Sequence, residues 1–123
     1  MEKSKESRPR PITLTIKSTG EEYLLDFNRE TAIFTNRSGF RIEDFVNNME
    51  EMLPILFYGS FRKNHKEITK YKADKILTED LKGLSESAVE RLLELYSAGR
   101  KSLIYQDEAA EDLGKNPNAT VQL

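Results

Sequence analysis

Few residues in this chain can do chemistry. It holds one histidine, His65, and no cysteine. Thiolate nucleophiles, thiolate metal sites and disulfide staples are therefore absent. His65 lies in "RKNHKE", a charged end to the apolar run "LPILFYGSF". A lone histidine there is expected to cap carbonyls or meet solvent rather than hold a metal. Close acids occur in "TED" and "DEAAED", without the alternating ligands and glycine of a calcium loop. The six glycines are single and scattered, so no loop cradles phosphate, and no serine sits in a nucleophile elbow. A metal site built only of carboxylates is the one catalytic option left open. The expectation is a non-enzyme with no catalytic, cofactor-binding or metal-binding residues.

Charge narrows the partners. The 123 residues include 19 Lys and Arg against 21 Asp and Glu, a net charge of −2. Nearly cancelling, interspersed charge provides no field to gather DNA or RNA. The clearest helix, "ESAVERLLELY", would present Glu86, Glu90 and Glu94 to phosphates, which is repulsive. Lys3, Lys5, Arg8 and Arg10 are diluted by Glu2 and Glu6 and read as a solvated arm. The opening "MEKSKESRPRP" has no apolar signal-peptide core, and no window reaches the roughly 18 apolar residues of a membrane span. A cytoplasmic protein that does not enter membranes is expected.

The elements that must position any site follow from periodicity. "ITLTIKS" and "EYLLDFN" alternate with period two around a turn at Gly20, which predicts a β-hairpin. Ile12, Leu14, Ile16, Tyr23, Leu25 and Phe27 line one face; Leu24 points to the other. A lone hairpin is marginal, so its apolar face must lie on helices, and both strand edges are expected to stay open. Asn28 should cap a helix over "RETAIFTNRS", closed by Gly39, with Phe40 folding back on its end. Ile42, Phe45, Val46 and Met49 share helical spacing and predict a second helix stripe. Pro54 suits a first turn, so the "LPILFYGSF" helix is expected to start near Leu53. It is apolar nearly all round, as a central core helix is, and Gly59 and Ser60 would let another helix cross closely. Thr69 should cap "KYKADKILTEDLK", with Ala73, Ile76 and Leu77 inward and Gly83 as its stop. Ser85 or Ser87 should cap the last helix, which carries Val89, Leu92, Leu93 and Tyr96 inward. The predicted architecture is α+β: a hairpin packed on about four to five helices. An arm spans 1–10, the globular domain 11–105 and a flexible tail 106–123.

The order of segments carries a resemblance. "YLLDFNRETAIFTNRSGF", "MLPILFYGSFRKNHKEIT" and "ADKILTEDLKGLSESAVERLLELY" together resemble the small tail assembly chaperones of long-tailed phages and prophages of Gram-positive bacteria. The resemblance covers about residues 12–105. It implies a non-catalytic protein that binds the tape measure protein in the bacterial cytoplasm and is absent from the finished virion. It also often implies a longer form made by ribosomal frameshifting. The open hairpin edge, read from the strands themselves, offers a place where copies could join side by side as a homo-oligomer. Gly114, Lys115 and Asn116 can be encoded by a slippery run and are the candidate frameshift position. Among surface residues, Leu24, Leu103, Ile104 and Tyr105 are the candidate protein contacts, with Tyr58, Phe61 and Tyr96 as further aromatic candidates. Another phage adaptor or regulator, or a nucleic-acid binder, is the alternative reading.

Overall fold

The computed structural model describes residues 8–101. β1 (Ile12–Ile16) and β2 (Glu21–Leu25) pair antiparallel, Ile12 opposite Leu25 and Leu14 opposite Tyr23. The alternation sends Leu14, Ile16, Tyr23 and Leu25 into the core, while Thr13, Thr15 and Leu24 stay outside. This hairpin packs on four α-helices among the described residues: α1 (Arg29–Arg37), α2 (Met49–Phe61), α3 (Lys70–Lys75) and α4 (Glu86–Lys101). The protein is an α+β domain of the predicted kind.

Helix ends follow the predicted chemistry. The Asn28 side chain accepts from the Thr31 N–H at 2.9 Å, and the Thr31 hydroxyl accepts from the Asn28 N–H at 2.9 Å. Such a reciprocal cap stabilises a helix by about 1 kcal/mol. Thr69 accepts from the Lys72 N–H at 3.0 Å to start α3. At α4 the cap is Ser85 rather than Ser87: the Ala88 N–H donates to the Ser85 hydroxyl at 3.2 Å.

α2 is the centre of the molecule. Leu56, Phe57 and Phe61 are wholly buried, and α1, α3, α4 and β2 all pack against it. The Phe57 and Phe61 rings meet edge to face at 5.0 Å, and Tyr23 meets Phe61 at 5.3 Å. Phe40 and Phe27 do the same on Tyr96 of α4 at 4.8 and 5.7 Å. Phe61 and Tyr96 are therefore core residues, and Tyr58 is half-buried beside Phe34, so none of the three is a free aromatic contact.

Two expectations about elements are corrected. The predicted stripe from Ile42 to Met49 is no helix: a single 3₁₀ turn, Ile42–Asp44, is followed by a turn, and Val46 stands 83% exposed. Asn48 precedes a new helix, which breaks the stripe between Phe45 and Met49. α2 accordingly starts at Met49, not Leu53, and Pro54 sits within it. Proline there deprives only one carbonyl, that of Glu50, of its intrahelical donor.

The third correction concerns the hairpin edges. β2 is closed. The Asp26 N–H donates to the Ser60 carbonyl at 3.0 Å, the Leu24 N–H donates to His65 Nε2 at 2.9 Å, and Asn64 donates to the Leu24 carbonyl at 3.2 Å. The end of α2 and the turn after it thus act as a third strand would. Among the described residues, only β1 keeps an open edge. The expected arm is fastened at its last residues: Arg8 donates to Asp26 at 3.3 Å and to the Phe27 carbonyl at 2.9 Å. Asp26, 2% exposed, also takes the Lys63 ammonium at 2.7 Å, so a buried carboxylate joins the chain start to the end of α2.

Candidate protein-interaction surface

His65 is the one side chain that could signal a catalytic centre. Its Nε2 accepts the Leu24 N–H, which places the ring proton on Nδ1, and Glu67 lies 3.9 Å from that nitrogen. It therefore satisfies a strand donor, where the sequence suggested carbonyl capping or solvent. Among the described residues no three His, Cys, Asp or Glu side chains gather to hold a metal ion. The Tyr23 phenol is pushed up from its ordinary value of 10.0 by burial, then by its hydrogen bond to Glu21 and by the charges of Glu21, Glu67 and Asp80. That shift further favours the neutral phenol, the wrong direction for a base or nucleophile.

The surface offers an apolar groove instead. Met49, Glu50, Leu53 and Pro54 from the first turns of α2 form one wall. Leu77, Thr78, Lys82 and Gly83 form the other, enclosing about 590 Å³. Local sequence builds both walls. The stretch Ile76–Asp80 after α3 widens into a π-turn, with the Leu81 N–H reaching the Ile76 carbonyl at 2.9 Å. Lys82 and Gly83 then take positive φ, 56° and 103°, and the Gly83 N–H returns to the Leu77 carbonyl at 2.9 Å. Met49 is 45% exposed at the groove mouth, and Val46 stands beside the start of α2. Methionine on a groove wall adapts its shape to varied apolar partners. Glu50 and Lys82 carry opposite charges on opposite walls.

Of the residues expected to contact partners, Leu24 is described and is 41% exposed on the outer hairpin face. It lies on the hairpin and does not line the groove. Leu103, Ile104 and Tyr105, and the frameshift candidates Gly114, Lys115 and Asn116, lie outside the described residues. In sequence, the groove residues Met49, Leu53, Pro54 and Leu77 look like core or helix-start positions. The missed signal is "NNMEE": two acids in a first turn restart a helix after Asn48, whose side chain donates to Glu51 at 3.1 Å rather than capping the backbone, and Val46 is released from the stripe.

A family model spans hairpin and helices alike, matching residues 1–121. The chain belongs to the family described as Domain of unknown function (DUF5055). No curated protein matches it, and no solved structure does. No helix among its described residues is long and apolar enough to cross a membrane.

Proposed function

We propose that this chain is a non-catalytic tail assembly chaperone of a phage or prophage, which binds the tape measure protein and keeps it soluble while the tail is built. The observation that supports the reading is the groove between α2 and the π-turn, apolar and open, with Met49 exposed on its wall and Val46 exposed three residues earlier in the chain. A tape measure protein is a long helical rod with apolar stripes, and an amphipathic helix laid in a groove is a general mode of such recognition. Many copies on one rod gain by multivalency what each contact lacks. The resemblance in segment order supplies the partner; the groove supplies a place for it. On this reading the protein works in the bacterial cytoplasm, is displaced before the virion is complete, and has a frameshifted longer form beginning to diverge near Gly114.

The test is co-expression with the tape measure protein of the same locus, followed by co-purification. Val46→Glu with Met49→Glu should weaken capture about tenfold or more while the far-ultraviolet spectrum and melting stay those of the parent. Full capture by that folded double variant would remove the groove from the proposal. No capture by the parent chain would remove the tape measure protein, leaving a phage adaptor with another partner.

A further inference from the structure

We propose that two copies of this chain pair through β1, antiparallel about a two-fold axis at Leu14, to form a four-stranded sheet. The closed edge of β2 is where this begins. Leu24 spends its N–H on His65 and its carbonyl on Asn64, so both point away from β1. In an antiparallel ladder such a residue sits in a non-hydrogen-bonded pair, and its opposite, Thr13, must also point its backbone groups outward. By alternation Thr15, opposite Glu22, does the same. No element among the described residues bonds these groups, and both threonines are exposed.

The strand suits a copy of itself. "PITLTI", residues 11–16, carries no charge in a chain that is 33% charged. Edge strands that avoid pairing usually carry lysine or an inward charge. Hydrogen-bonded pairing must match outward residues with outward residues. Centring the axis on Leu14 sets Thr13 opposite Thr15 of the second copy, and each such pair exchanges both of its N–H···O bonds. Threonine opposite threonine is a favourable cross-strand pair. The same register sets Leu14 opposite Leu14 and Ile12 opposite Ile16 of the second copy. Ile12, only half-buried at the strand start, then gains apolar cover. Centring on Thr13 or Thr15 instead would set Pro11, which lacks an N–H, or Lys17 against a threonine.

The closed edge also sets the stoichiometry. Among the described residues each copy has one open edge, so an isologous pair uses both and association stops at two. The contact is short and sits at the weak end of interface sizes, so the dimer is concentration-dependent. Pairing through β1 is independent of the chaperone role, because its test contains this chain alone.

The experiment is sedimentation of the full chain over a wide concentration range. The parent should pass from monomer to dimer and no further. Thr13→Lys with Thr15→Lys should be monomeric, since lysines would then oppose lysines, and Thr13→Glu with Thr15→Glu likewise. An equimolar mixture of the two variants should dimerise again, by opposite charge. An interchain Hα–Hα contact at Leu14 in a mixed-label parent sample needs no variant and should be present. A parent that stays monomeric at the highest concentration overturns the proposal. So does a dimer the paired lysines leave unchanged, or one without the Leu14 contact. Protection of the Thr13 and Thr15 amides only on adding tape measure protein would give the edge to that partner instead.

Discussion

Gly59 and Gly99 act by what they lack. A Cβ on Gly59 would strike the Thr35 hydroxyl, and one on Gly99 would lie 2.8 Å from the Asn28 carbonyl oxygen and 3.3 Å from the Ala32 Cβ. These are the points where α2 and α4 cross α1. Gly99 therefore repays the roughly 1 kcal/mol a glycine costs inside a helix. Gly59→Ala should destabilise the domain by about 1–3 kcal/mol in urea unfolding, and Thr35→Ala should recover part of the loss in the double variant. Tyr96 poses the opposite case. Its ring is wholly buried, yet its hydroxyl finds no partner among the described residues. An unsatisfied buried hydroxyl is a standing cost, so Tyr96→Phe should raise the unfolding free energy by about 1 kcal/mol.

Among the elements, the hairpin depends most on residues later in the chain. Its second strand is completed by Ser60, Asn64 and His65 rather than by another strand. His65→Ala should speed exchange of the Leu24 amide about fivefold, a loss of about 1 kcal/mol, with little change at Leu14. Exchange at Leu24 unaffected by the substitution would show that His65 does not hold the edge. The elements themselves were readable, because period-two alternation and caps such as Asn28 and Thr69 are local signals. What escaped was non-local or broken by one residue. The Ile42–Met49 stripe kept its spacing although Asn48 interrupted it. The role of His65 depended on a strand 41 positions earlier. The groove escaped for the same reason: Leu53 and Leu77 look like any core leucines, and only the fold sets them on facing walls. Leu24 could be identified as exposed because strand alternation alone decides it.

At the scale of the whole molecule, two surfaces of different chemistry coexist. The groove offers apolar side chains and little backbone; the β1 edge offers backbone and uncharged threonines. Val46 lies in the turn before α2 and Met49 at its start, Thr13 and Thr15 on the hairpin. Substitutions at one should leave the other's readout intact: Val46→Glu with Met49→Glu should still sediment as a concentration-dependent dimer. Loss of both together would mean that the two surfaces are one.

The fastening of β2 also has a consequence in time. A ribosome delivers the chain from its N-terminus, so the hairpin emerges well before the residues that complete it. Lys63 comes 37 residues after Asp26, and His65 comes 41 after Leu24. At roughly 5–20 residues per second, that delay lasts about two to eight seconds. During it the nascent hairpin shows both margins to every neighbouring polysome product, and only the arrival of the "FRKNH" segment ends that exposure.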